Sequence, residues 1–254
     1  MKKPFYFFFF LLIVLSCKDE TECCVNPTIA IKLKFTHHWD GVELSSSDFN
    51  EFKFRTANDD LISISRLRYL VSNVLFNNTI QSSSTIYSLI DIDENKTTLL
   101  VTGVPISKVN AFAFTFGFRD EDNLDGAYAD LNSASFNVPE MLGGGYHYMQ
   151  FDGKYKDSNN ADANFNYHAI RAADITDPDN IILQDTSFEV DLGNIEITEN
   201  TTIEIKMNVA EWFKNPNIWN LNELNTVLMP NFDAQILMNE NGQSVFSLGK
   251  ITSN

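Results

Sequence analysis

Asn110-Ala-Phe-Ala-Phe-Thr-Phe-Gly-Phe118 places Phe112, Phe114, Phe116 and Phe118 at every second position. Successive side chains of a strand point to opposite faces, so these four rings share one face and mark a core strand. The same period runs outward through the chain. From Thr28, Ile29, Ile31, Leu33 and Phe35 alternate with Lys32 and Lys34, as in a strand with one face buried. Further strands are expected over 49–55 and 62–76, separated by a turn at Asn58-Asp59-Asp60, and over 85–92, 146–155, 165–171, 187–192 and 201–209. Helical spacing comes late. It predicts one turn over 210–214, stopped by Pro216, and a short helix over 220–229 with Leu221, Leu224 and Leu228 on one side, stopped by Pro230. Asn239-Glu-Asn-Gly242 reads as a hairpin turn into a strand over 244–248. Many short strands and few helices predict a mainly β fold: a single antiparallel β-sandwich domain over 28–254 with short C-terminal helical segments.

The residues ahead of that domain address the chain to the cell envelope. Lys2 and Lys3 precede an unbroken apolar run over 5–15, shorter than the roughly 20 residues of a membrane span. Val14-Leu-Ser-Cys17 has the form of a lipobox, so 1–16 is expected to be a lipoprotein signal peptide. Cys17 would become the lipidated first residue, anchoring the chain to the membrane, and 17–27 a tether. Lys18-Asp-Glu20 resembles the signal that sends bacterial lipoproteins to the outer membrane, on its periplasmic face or at the cell surface. Cys23 and Cys24 lie in the tether, where a vicinal bridge would close a strained ring, so no disulfide staples the domain.

Removing residues 1–16 takes the net charge from −16 to −18. A chain this acidic lacks the electrostatic footprint of a nucleic-acid binder. The hydrophobic fraction of 44 % supports a sizeable core. The chain contains no Gly-x-Ser-x-Gly, no His-Glu-x-x-His and no phosphate-cradling loop, so an enzyme is not expected. Asp120-Glu-Asp-Asn-Leu-Asp-Gly126 departs from the EF-hand spacing at Leu124 and reads as a solvated turn.

Four histidines carry the chemistry. His37 and His38 adjoin in Phe35-Thr-His-His-Trp39, His147 follows three glycines in Gly143-Gly-Gly-Tyr-His-Tyr148, and His168 lies in Asn166-Tyr-His-Ala-Ile170. Imidazole is the commonest protein ligand for copper and zinc, so strands that each deliver one could build a shared site. The alternative is that each ring satisfies a hydrogen bond in a half-buried position. Strand parity groups His37 with Phe35 and Trp39, His147 with Gly145 and Met149, and His168 with Asn166 and Ile170. The expected ligands are therefore an inward trio of His37, His147 and His168, with His38 in reserve and Met149 as a thioether beside the metal.

The chain resembles the MbnP-like family of copper-binding proteins associated with methanobactin. The resemblance is carried by Phe35-Thr-His-His-Trp-Asp-Gly-Val-Glu-Leu44, Leu67-Arg-Tyr-Leu-Val-Ser-Asn73, Phe114-Thr-Phe-Gly-Phe118, Gly145-Tyr-His-Tyr-Met149, Phe151-Asp-Gly153, Tyr167-His168 and Val209-Ala-Glu-Trp-Phe-Lys-Asn-Pro216. It implies a secreted β-sandwich that holds copper, with His37 or His38 and His168 in the family's histidine-bearing segments. Some members carry a tryptophan oxidised to kynurenine by a di-haem, peroxidase-like partner, a role that would fall to Trp39 here. The chain departs from the family at Met141-Leu-Gly-Gly-Gly-Tyr146, where two tryptophans commonly precede Gly-Tyr. The leading functional expectation is copper capture, storage or handover. The rival is a surface lipoprotein that binds a glycan or a protein without metal, using Trp212 and Trp219.

Overall fold

The computed structural model describes residues 27–80, 86–177 and 179–254. The expected signal peptide, Cys17 and the Cys23-Cys24 pair lie outside the described residues. Strands β1 (Thr28–Trp39), β2 (Val42–Leu44), β3 (Phe54–Arg55), β4 (Leu61–Phe76), β5 (Thr79–Ile80), β6 (Tyr87–Asp91), β7 (Thr98–Pro105) and β8 (Ser107–Phe116) form the first half. The second half contributes β9 (Met149–Lys156), β10 (Asp162–Ala169), β11 (Ala172–Asp174), β12 (Ile182–Gln184), β13 (Phe188–Ile197), β14 (Thr201–Asn208) and β15 (Phe246–Ser253).

One sheet runs β15-β14-β1-β2 with β7 also on β1, and the other runs β10-β9-β4-β8-β13, with β3, β5 and β6 also on β4. The sheets pack face to face through aromatic rings. Phe35 of β1 meets Tyr69 of β4 at 6.2 Å and Phe114 of β8 at 5.9 Å, both edge to face. The alternating phenylalanines of β8 are buried, as their period requires. The sandwich is mainly antiparallel, with one departure: β1 and β14 pair in parallel, Ile31 opposite Thr201 and His38 opposite Asn208. A period of two is the same in either direction. The long chain between the two strands supplies the crossover that a parallel pair needs.

Two late elements differ from expectation. Residues 220–229 form turns, because asparagine side chains take the local backbone groups: Asn220 Oδ1 accepts from Asn222 N at 3.0 Å, and Asn225 Nδ2 donates to Leu221 O at 3.0 Å. Val227 adopts a left-handed φ of 57°, incompatible with a continuing helix. The expected hairpin turn at 239–242 is instead the end of helix α2 (Phe232–Gly242). Asn231, just after Pro230, caps that helix by accepting from Ala234 N at 3.1 Å. Gly242 is required by packing, since a Cβ there would stand 2.5 Å from the Phe188 ring.

A bulge in β4 matters most for the site. Its register against β9 shifts between Ile64 and Arg66. Ile62 and Ile64 point into the core before the shift, and Leu67 and Tyr69 after it. Arg66 and Arg68 are thereby turned to the outer face, beside Gln150 and Asp152 of β9.

Candidate metal centre

The four histidines separate into two regions. His37 points into the core, 3 % exposed, and its Nε2 shares a hydrogen bond of 3.0 Å with the Tyr69 hydroxyl. His38 faces the other way, its Nε2 3.0 Å from Thr36 Oγ1, which in turn donates to Glu204 Oε1 at 2.9 Å. Burial, and then the neighbouring His38, lower the His37 pKa from 6.5 to about 3. A neutral imidazole paired with a phenol is the outcome.

His147 and His168 come together elsewhere, on the outer face of the larger sheet. Their ring centroids lie 5.2 Å apart at an interplanar angle of 81°. His147 is 4 % exposed, and its Nδ1 lies 2.9 Å from Phe136 O. A carbonyl oxygen can accept but not give a proton, so Nδ1–H is the donor and Nε2 keeps its lone pair. That buried Nε2 has no hydrogen-bond partner. Burial brings the His147 pKa down to about 4, outweighing the Phe136 hydrogen bond, so the lone pair is free of a proton at neutral pH.

His168 is oriented by Asp152. Its Nε2 lies 2.7 Å from Asp152 Oδ1. Burial alone would raise the Asp152 pKa, but the hydrogen bond and charge of His168, the amide of Asn166 and the charge of Arg66 together lower it to about 2. The carboxylate accepts, His168 donates through Nε2, and Nδ1 carries the lone pair. Carboxylates that grip one nitrogen of a ligating imidazole in this manner are usual in metal sites.

The backbone around both rings is held by residues far away in sequence. Gly143, Gly144 and Gly145 all take positive φ, 89°, 62° and 81°. A Cβ on Gly145 would stand 2.5 Å from Asn123 Oδ1, the atom that accepts from Tyr146 N at 2.8 Å. Asp125 Oδ1 accepts from Gly145 N at 3.1 Å. The acidic loop expected to be a solvated turn is therefore the cradle of the His147 segment. On the other side, Gln235 of α2 clamps the backbone at His168: its Nε2 donates to His168 O at 2.9 Å, and its Oε1 accepts from Ile170 N at 2.8 Å.

The inward trio does not form. Among the described residues no three His, Cys, Asp or Glu side chains gather as a metal-holding group. His168 pairs across the sheet with Gln150, on the face opposite the core, whereas His37 lies between the sheets. Met149 also departs from expectation. It begins the regular strand and belongs to the buried core, so the period of two does not reach back through the irregular turn to His147. Trp39 is 6 % exposed, stacked on Phe54 at 5.0 Å, with its Nε1 donating to Arg55 O at 3.1 Å. Trp212 and Trp219, candidates for glycan stacking, are 0 % and 1 % exposed and pack on Tyr167, at 6.0 Å and 4.6 Å. Neither offers a face to a sugar.

Sequence reasoning did not single out Arg66, Arg68, Gln150 or Asp152 as site residues. Asp152 stood there only as the middle of Phe151-Asp-Gly153. The β9–β10 register, Asn166 opposite Asp152 and His168 opposite Gln150, is the signal that places them.

The residues present fit copper. Metal–nitrogen bonds of about 2.0–2.1 Å put an imidazole centroid roughly 3 Å from its ion, so two rings at this separation can share one. The donors are neutral, soft enough for copper and poor for hard cations.

Comparisons with known proteins agree with the fold. No curated protein matches the chain. Among solved structures, MbnP from Methylosinus trichosporium is similar, with a TM-score of 0.54 at 12 % identity, covering 88 % of this chain and 99 % of that one. A family model described as MbnP matches residues 28–230. That match spans most of the chain, which belongs to the MbnP family.

Proposed function

We propose that the protein binds one copper ion between His147 and His168 and works as a cell-envelope lipoprotein in copper capture, storage or handover. One observation carries the reading: two imidazoles in ring contact, each committed to an acceptor through one nitrogen, leave His147 Nε2 and His168 Nδ1 as the donor pair. The family's association with copper supports the choice of metal. The lipobox at Cys17 supports the address, and no catalytic role is proposed.

Each neighbour has a part in that binding. Phe136 O sets the His147 tautomer, Asp152 sets that of His168, and Gln235 with the Asn123–Asp125 loop fixes the two backbones. Bound there, copper would gain two strong nitrogen ligands from a protein already arranged to receive it. His168, with 15 % of its side chain exposed, is the side from which an ion would enter. The rival glycan-binding reading has lost both of its candidate tryptophans to the core.

The test is metal content. All three cysteines lie at positions 17, 23 and 24. The chain from Lys18 with Cys23→Ser and Cys24→Ser therefore removes thiols from the question. Reconstitution followed by mass spectrometry is expected to give about one copper per chain, as one site requires. Less than about a tenth of a copper per chain would remove the proposal.

A further inference from the structure

The carboxylate nearest the two imidazoles has no oxygen to spare. Asp152 Oδ1 accepts from His168 Nε2 at 2.7 Å and from Asn166 Nδ2 at 2.6 Å, while Oδ2 accepts from Arg66 Nε at 2.6 Å. Its side chain is 8 % exposed. A second guanidinium flanks the first: Arg68 donates through Nε and Nη2 to Gln150 Oε1, at 2.9 and 2.6 Å, and through Nη2 to Ala134 O at 2.9 Å. Two cations therefore border the rings against one adjacent carboxylate. In the usual divalent centre, a carboxylate ligand or an uncompensated negative charge helps to balance the ion.

We propose that Asp152 and Arg66 are positioning residues that make this a centre for a monovalent soft cation and against divalent ones. Asp152 keeps the His168 proton on Nε2 and so turns Nδ1 to the ion. Arg66 occupies the carboxylate oxygen that would otherwise ligate, and cancels its charge. The repulsion from a nearby guanidinium is twice as large for a dication as for a monocation, so the pair selects by charge as well as by ligand type. This inference rests on the copper reading above.

Competition titrations of the chain from Lys18, with Cys23→Ser and Cys24→Ser, separate the two. Cu(I) is buffered by a bidentate aromatic chelator and Zn(II) by a chromophoric one. Arg66 exposes 44 % of its side chain, so Arg66→Gln leaves the core intact. It is expected to raise Zn(II) affinity relative to Cu(I) about tenfold or more. Arg66→Lys keeps the charge and should hold the ratio within about threefold of the parent. Arg68→Gln, an independent variant, should shift the ratio in the direction of Arg66→Gln.

The metal-free protein gives a readout that a merely structural role would not move. Nitrogen-15 chemical shifts should place the His168 proton on Nε2 in the parent and move it towards Nδ1 in Asp152→Asn, whose amide can donate. Asp152→Asn should also cost about 10–100-fold in Cu(I) affinity. A parent that binds Cu(I), with a metal ratio indifferent to both arginine variants, overturns this inference and leaves the copper reading standing. A parent with the His168 proton on Nδ1 does the same. A parent that binds no Cu(I) overturns both.

Discussion

His37 and His147 are buried to nearly the same degree, 3 % and 4 %, and burial lowers both pKa values, yet the two regions serve different ends. His37 has His38 as its chain neighbour, and the strand turns that neighbour to the opposite face. His147 has no histidine within 20 residues, and a hairpin carries His168 to its ring. Adjacency in the chain separated one pair and tertiary structure made the other. Burial of an imidazole is therefore no measure of ligation; the company it keeps is.

The largest expected effect tests that contrast directly. His147→Ala and His168→Ala should each lower copper affinity at least about a hundredfold, because a two-ligand site loses half its donors. His37→Gln and His38→Gln should leave it within about threefold. Equal losses across all four variants in competition titrations would erase the distinction between the regions.

Acid should strike both regions alike. The folded-state values of about 3 for His37 and about 4 for His147 lie below the ordinary 6.5. The unfolded chain then binds more protons, so the stability from keeping these rings neutral is fully present above about pH 6.5 and falls away towards pH 3–4. Between pH 7 and 5 each ring should cost on the order of 2 kcal/mol, read from urea unfolding of the metal-free protein. His37→Gln should flatten its share of that slope, and an unchanged slope would contradict the assignment.

Gly145→Ala sharpens the comparison by acting on one region alone. It strains a φ of +81° and pushes the new methyl into Asn123, displacing the His147 backbone. Copper affinity should fall about tenfold and stability by about 1–3 kcal/mol. A site that tolerates the change without loss does not depend on the glycine turn. The smallest effect is expected for Met149→Leu, a core swap of similar volume: less than about 1.5 kcal/mol in stability and no change in copper affinity. A marked copper loss there would return the thioether to the site.

Much of the fold was legible in particular residues. Ile29 to Phe35 and Phe112 to Phe118 alternate strictly, and both runs lie where that alternation puts them. The candidate site was legible only in part. His147 and His168 could be named, because an imidazole is conspicuous in any sequence, but their grouping could not. Parity is reliable inside a regular strand. It fails across the bulge at Ile64–Arg66, which turns the two arginines outward, and across the left-handed glycines that precede Met149. The helix over 232–242 was hidden for a related reason: Asn-Gly at its end has the same composition as a hairpin turn, and its role is decided by the Phe188 ring packed against it.

The sequence by itself determined which residues lie in the core, since the period of two and the hydrophobicity of each side chain are local properties that survive any arrangement of the strands. Tertiary structure decided which polar residues meet. Contacts among Arg66, Asp152, His147 and His168 depend on register, bulges and the closing of a hairpin, and these are set by the summed packing of strands distant in the chain.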